Sequence, residues 1–445
     1  MYSKAVSDAF EKAGISIGDA VKIHSGDSIF EGTVMPRPEI GDENIIVLKL
    51  KNGYNVGIRF GENVKLERVG SSKEKFSFPK SKPQSNKGLP RISLLYTGGT
   101  IGSKVDYATG GVYMLTKPEE LLYEVPELEN IANIEVRNVM SIASEDMTYH
   151  EWRRIAEEVA SALNSGARGV VITHGTDTMH FTSAALSFML QGANAPIVLT
   201  GSQRSSDRGS SDAFMNLVCS TQIAAKSDIA EVGICMHYSS SDELCAFIRG
   251  TKARKMHTSR RDAFRPINDK PIAFVAANGN ITYNSAYKKT VEVERTKVEA
   301  KTKYEPKVAL IQLYPNSDPE ILEFYANKKY KGIILEGTGL GHAPVSTEHK
   351  EALWLPAIKR AVDSGIVVGM TSQCLYGRVN TNVYRNLRLI SGAGVIYCED
   401  MLPETALVKL GWLLGNYNAD KAKELLNKNI AGEIKAKSAY DEFLV

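Results

Sequence analysis

Residues 92–102, ISLLYTGGTIG, decide how this chain is read: an apolar run of strand length ends at Tyr96 and opens into Thr97-Gly98-Gly99-Thr100. The same grammar recurs twice. The run ending at Ile172 opens into Thr173-His174-Gly175-Thr176-Asp177-Thr178, and the run ending at Thr200 opens into Gly201-Ser202-Gln203-Arg204. Between these strands lie helical stretches; after His150, Trp152, Ile155, Val159 and Leu163 fall on one helical face. Apolar strands alternating with amphipathic helices predict an α/β fold with a parallel sheet covered on both faces. Ligands of such sheets bind at the carboxyl ends of the strands, where all three Gly- and hydroxyl-rich loops fall.

Residues 1–70 begin with a helical start near Ser3–Lys12. Five short β-rich runs follow, and Lys51-Asn52-Gly53-Tyr54 supplies a hairpin signal between two of them. They predict a small SH3-like β-barrel. Residues 71–89 are rich in Ser, Lys and Pro and read as a linker. Residues 90–287 form the larger α/β domain and 288–306 a second, charged linker. Residues 307–445 form a smaller α/β domain with strands at VALIQLY, GIILEG, IVVGMT and GVIYC and helices near 318–328, 350–361 and 403–414. The 445 residues exceed one ordinary core, so several domains are expected.

Composition excludes more than it assigns. With 54 Lys+Arg against 51 Asp+Glu the net charge is +3, so no bulk nucleic-acid affinity is announced. No apolar run approaches the ~20 residues that span a bilayer, and the N-terminus MYSKAVSDAFEKAG lacks a secretory h-region. The five scattered cysteines form no CxxC pair and read as idle thiols of the reducing cytoplasm. His174 and His180 lack metal-ligand spacing and read as packing or hydrogen-bonding residues. No metal is expected.

TGGTIG lacks the lysine of a P-loop and the spacing of a dinucleotide fingerprint. Alone, Thr97 or Asp177 reads as a helix N-cap. Their combination is more specific. Tyr96–Gly102 and His174–Met179 resemble the two signature motifs of the asparaginase/glutaminase family. Ser144-Glu145-Asp146-Met147, Gly201-Ser202-Gln203-Arg204 with Ser211-Asp212, and Lys255 within Arg254–Thr258 resemble three further blocks, in order, from about residue 91 to the C-terminus. The N-terminal module, the 205–213 run SSDRGSSDA and the late runs TSQCLYGRVNTNVY and CEDMLPETALVKLGWLLG narrow the likeness. They resemble the glutaminase-subunit family of archaeal glutamyl-tRNA(Gln) amidotransferases.

That resemblance implies an asparaginase-like two-domain core and a threonine amidohydrolase. Thr97 would attack the side-chain amide of L-glutamine, with Thr176, Asp177 and Lys255 as a second polar set. A threonine hydroxyl needs a base beside it, and Lys255, held near neutral basicity by burial, would draw a proton through Thr176. The residues alone do not order the two threonines. Ser144 and Glu145 would hold the substrate's α-groups, and backbone N–H groups at Gly98 and Gly175 are oxyanion candidates. The family places a tyrosine on a lid; Tyr107 and Tyr113 both qualify and the register chooses neither.

Lys255 lies in a basic run, 252–261, of a kind that usually faces solvent, and the family register selects it over Lys252. Gly337-Thr338-Gly339-Leu340-Gly341 looks like a nucleotide loop but matches a structural turn of the smaller domain.

The resemblance further implies an E-type partner subunit carrying ATP and Mg²⁺, Glu-tRNA(Gln) bound through the complex, no cofactor on this chain, and a homodimer core within a hetero-tetramer. Two other readings stay open: a free-standing cytosolic L-asparaginase, against which the N-terminal module argues, and a tRNA-binding scaffold with a vestigial site. The enzymatic reading requires the Lys255 amine within about two hydrogen-bond lengths of the Thr176 oxygen.

Overall fold

The computed structural model describes residues 2–35, 42–50, 55–70, 86, 88–105, 112–114, 122, 125–206, 210–292 and 297–440. Helix α1 (Lys4–Lys12) starts at Ser3, whose side chain accepts the Val6 N–H, and buries Val6 and Phe10. They pack on strands β1 (Ala20–Ser25), β2 (Ser28–Val34), β3 (Ile45–Leu50), β4 (Asn55–Arg59) and β5 (Val64–Gly70). These form one antiparallel sheet of order β4-β3-β2-β1-β5. Alternation puts Val21, Ile23, Ile46 and Leu48 on the covered face. β3 and β4 pair as a hairpin; the 51–54 turn between them lies outside the described residues.

The larger sheet has eight strands. β6 (Arg91–Gly98), β9 (Asn133–Ile142), β10 (Val170–Thr173), β11 (Ile197–Thr200) and β12 (Val232–His237) run parallel, with β6 between β9 and β10. β7 (Ser103–Val105) and β8 (Val112–Met114) make a separate antiparallel ribbon after β6. The other edge departs from the parallel expectation. β13 (Cys245–Arg249), β16 (Ala273–Val275) and β17 (Ile281–Tyr283) add antiparallel strands. The cause is length: residues 238–244 alone join β12 to β13, too few for the crossover of a dozen or more that a parallel strand needs.

Helices α2 (Tyr149–Asn164), α3 (Met179–Met189) and α4 (Ala213–Lys226) cover this sheet. Leu95, Ile172 and Leu199 point into one core with α2 and α3, while Leu94, Val171 and Val198 point into the other with α4. α2 begins with a Thr148/Glu151 capping box. β14 (Ala253–Lys255) and β15 (Phe264–Pro266) form a two-stranded ribbon of their own.

The smaller sheet, β18 (Val308–Gln312), β19 (Gly332–Gly337), β20 (Val367–Ser372) and β21 (Ile396–Tyr397), is parallel throughout. Its helices are α5 (Ile321–Asn327), α6 (Trp354–Asp363), α7 (Arg385–Gly392), α8 (Pro403–Asn416) and α9 (Ala419–Leu426). α8 packs on α3 of the larger unit, with Phe188 and Trp412 stacked at 5.8 Å between ring centroids, so one core spans both units. Residues 297–305 lie along this seam: Asn164 brackets Val298 with two hydrogen bonds, and the Tyr304 ring occupies the space where a side chain at Gly411 would stand. After β19, Gly339 and Gly341 take positive φ and a Thr338–His342 bridge closes the turn, so the 337–341 glycines serve the backbone.

Candidate active site

Four loops meet at the carboxyl ends of β6, β9, β10 and β11, and they meet backbone to backbone. Gly98 and Gly99 take φ of 105° and 84°. A Cβ on Gly99 would stand 2.5 Å from the Gly175 nitrogen, and one on Gly175 would stand 2.7 Å from the Ser144 Cβ. A Cβ on Gly201 would meet the His174 carbonyl at 2.5 Å. Thr178 Oγ1 then donates to the Ser144 carbonyl at 2.7 Å, locking the 144–146 loop onto the 174–178 loop. The motifs need glycine because only bare backbone lets these turns approach so closely. A further anchor is Asp212, fully buried, whose carboxylate accepts the N–H groups of Gln203 and Arg204 and the Asn216 amide.

The polar side chains converge on this cluster. Lys255 Nζ donates to Thr176 Oγ1 at 2.9 Å and to Asp177 Oδ1 at 2.6 Å. That distance is well inside the limit the enzymatic reading requires. Asp177 is two-thirds exposed, whereas the lysine side chain is 9% exposed, so the ion pair has one sheltered and one open end. Thr97 is fully buried at the end of β6 and donates to the Thr173 carbonyl at 2.7 Å. Thr176, not Thr97, is therefore the hydroxyl joined to the lysine. Ser144 is buried against Gly175, and Glu145 stands exposed beside it. Tyr113 lies on β8, its backbone opposite Lys104; Tyr107 lies outside the described residues.

His174 is held as a neutral, hydrogen-bonded group, whereas the buried His180 Nδ1 has no hydrogen-bond partner among the described residues. His174 Nδ1 faces the Gly175 carbonyl at 2.6 Å and must donate to it, so Nε2 is an acceptor; Thr182 Oγ1 supplies it at 2.9 Å and itself accepts the Trp152 indole N–H at 3.0 Å. Burial lowers His174 to a pKa of about 4. His180, on the first turn of α3, is lowered to about 3 by burial and by the nearby Arg254 and Lys255 charges.

The basic run 252–261 is sheltered over 252–255 and exposed over 256–260, and each of its lysines and arginines has an acidic partner. Lys252 pairs with Asp400 at 2.7 Å, Arg254 with Glu404 at 2.9 Å, Arg260 with Asp262 at 2.8 Å and Arg261 with Asp242 at 2.6 Å. The partners of Lys252 and Arg254 come from the smaller unit. No spacing rule links position 254 to position 404, and only the acidic residues within the run CEDMLPET hinted at them.

The model for the N-terminal domain of asparaginase matches residues 91–289, that for the glutaminase/asparaginase C-terminal domain matches 307–426, and that for the GatD N-terminal domain matches 15–69. The D-type subunit of glutamyl-tRNA(Gln) amidotransferase from Thermococcus kodakarensis is 50% identical, with 99% of each chain covered. That of Pyrococcus furiosus is 49% identical over 99% of this chain and 100% of its own. The chain belongs to the family of D-type subunits of glutamyl-tRNA(Gln) amidotransferase. Among solved structures, the L-asparaginase of Thermococcus kodakarensis superimposes with a TM-score of 0.68 at 30% identity, covering 78% of this chain and 100% of its own. L-asparaginase I of Vibrio cholerae gives 0.67 at 30%, covering 78% and 99%. Asparaginases are thus exhausted before this chain is, whereas the D-type amidotransferase subunits match it end to end.

Proposed function

We propose that this chain hydrolyses L-glutamine and supplies the ammonia with which a partner subunit converts Glu-tRNA(Gln) to Gln-tRNA(Gln). The observation that carries the chemistry is the Lys255 amine 2.9 Å from the Thr176 hydroxyl and 2.6 Å from Asp177, at the mouth of loops rich in backbone N–H groups. Thr97 adds to the side-chain amide carbon of glutamine, its proton passing to the leaving nitrogen. Backbone N–H groups at Gly98 and Gly175 receive the developing oxyanion. Collapse breaks the C–N bond, releases ammonia and leaves an ester on Thr97; water then cleaves the ester to glutamate. Thr176, with Lys255 behind it, relays the protons, and Asp177 holds both the lysine and the substrate α-amino group. Ser144 and Glu145 fix the α-carboxylate and α-amino groups, and Tyr107 or Tyr113 closes the site as a lid.

The end-to-end likeness to the D-type subunits supports the assembly: a homodimer core within a hetero-tetramer, completed by an E-type partner that binds ATP and Mg²⁺, in the cytoplasm. Among the described residues no helix is long and apolar enough to cross a membrane.

The test is ammonia release from glutamine by the purified chain, alone, with the E-type partner, and with that partner plus charged tRNA. Strong stimulation by the partner and the charged tRNA is expected. Of the two competing readings, the 30%-identical asparaginase structures favour the free-standing asparaginase over the scaffold. Vigorous asparagine hydrolysis by the chain alone, indifferent to partner and tRNA, would make it a free-standing asparaginase instead.

A further inference from the structure

Lys255 is carried by an unusually slight element. β14 is three residues long and pairs with β15 alone, through Ala253–Pro266, Arg254–Arg265 and Lys255–Phe264. A two-stranded ribbon is marginal by itself, and a lysine on a four-carbon stem reaches only as accurately as its backbone is held. Successive residues of a strand face opposite ways, so Arg254 points away from the side that carries the amine. There its Nη1 lies between both oxygens of Glu404, at 2.9 and 3.1 Å.

Glu404 sits almost fully buried in the first turn of α8, directly after Pro403, where the helix start favours a carboxylate. The next residue makes a second tie, Thr405 Oγ1 donating to the Thr251 carbonyl at 3.1 Å. The start of α8 thus grips the chain at 251 and at 254, immediately before the lysine. α8 itself is packed on the smaller sheet and on α3. His180 Nε2 lies 4.0 Å from a Glu404 carboxylate oxygen.

We propose that Arg254 and Glu404 are positioning residues for Lys255, so that the smaller unit, through the start of α8, sets the reach of the catalytic amine. Glu404 also neutralises the Arg254 guanidinium, which leaves Asp177 as the lysine amine's own carboxylate partner. The inference rests on the glutaminase reading above, and the wild-type complex must first hydrolyse glutamine. If it does not, that reading fails rather than this one.

The experiment compares kcat and KM for glutamine in complexes carrying R254M, E404Q, the R254M/E404Q double variant and R254K. Misplacing a reacting group by about an ångström can cost on the order of a hundredfold. The single variants are therefore expected to lose about tenfold to a hundredfold in kcat, with KM within about twofold. The double variant should be no slower than R254M, because both changes break one tie. R254K should recover part of the loss. A Leu387→Ala variant, which opens a cavity in the core on the face of the smaller sheet opposite α8, should lower Tm and leave kcat unchanged. Should E404Q not fold, R254K against R254M carries the same comparison. Wild-type kcat in R254M, losses that multiply in the double variant, or a kcat in Leu387→Ala that falls with Tm would each overturn the proposal.

Discussion

Lys252 and Lys255 share one short run, yet the fold puts them to opposite uses. Lys252 has no exposed surface; its Nζ donates to the equally buried Asp400 carboxylate at 2.7 Å, and burial pushes the amine's pKa down while Asp400 pulls it back up. Lys255 meets a hydroxyl and an open carboxylate at the rim. A buried charge matched to one buried partner holds two units together and has no spare valence for substrate. A charge sheltered at its stem and open at its partner can hand protons on. On the proposed mechanism, what separates architecture from catalysis is the company each amine keeps, not residue type or basicity of the run.

The largest effect should come from the rim. Lys255→Met is expected to reduce kcat/KM for glutamine about 10³-fold while leaving the melting temperature nearly unchanged. Lys252→Met should do the reverse. It takes the ammonium partner from the buried Asp400 carboxylate, which keeps the Lys435 N–H at 3.0 Å and the Arg378 guanidinium at 3.7 Å, at a cost of about 1–3 kcal/mol, read by urea unfolding, while the molecules that stay folded lose far less turnover than Lys255→Met. Lys252→Met/Asp400→Asn should regain part of that stability. Equal losses of rate in the two lysine variants would erase the distinction.

Sequence reading reached the rim because its parts are local. Thr97, Gly98 and Gly99 are contiguous, as are Gly175, Thr176 and Asp177, and Lys255 follows by family register. Turn chemistry ties each to the end of a strand, and strands were visible from apolar runs such as VVIT. Reading failed where distance along the chain is large or elements are short. Asp400 lies 148 residues from Lys252, and no periodicity announces a pair across that gap. The antiparallel edge escaped because β16 and β17 have three residues each, too few to show alternation. Register did not separate the two lid candidates, Tyr107 and Tyr113, because both fall in one short stretch after the Thr97 loop, and Tyr107 lies outside the described residues.

The buried histidines extend the architectural side of the comparison, and pH separates them from the rim. Their folded pKa values, about 4 for His174 and about 3 for His180, lie below the unfolded 6.5. Between these values the unfolded chain binds more protons, so stability is complete above pH 6.5 and falls as the solution is acidified. At pH 5 each histidine should cost about 2 kcal/mol. Unfolding titrations at pH 7 and pH 5 read this directly, and His180→Leu should flatten the slope. Glutamine turnover of folded protein should show no step assignable to either ring.

The smallest effect tests the same division most finely. Thr182→Val preserves shape and deletes one hydroxyl, the link between the Trp152 indole and His174 Nε2. Trp152 is only partly buried and can turn its N–H to water, whereas the fully buried imidazole nitrogen loses its donor outright. An unmet buried acceptor costs about 1–3 kcal/mol, which sets the expected loss of stability. The Gly175 carbonyl still fixes the His174 tautomer from the other side, so the loop carrying Thr176 should keep its place and kcat should change by less than about threefold. A fall in kcat as deep as that of Lys255→Met would mean that His174 takes part in proton transfer through Thr182. The boundary between buried architecture and reactive rim would then run through α3 rather than between the two lysines.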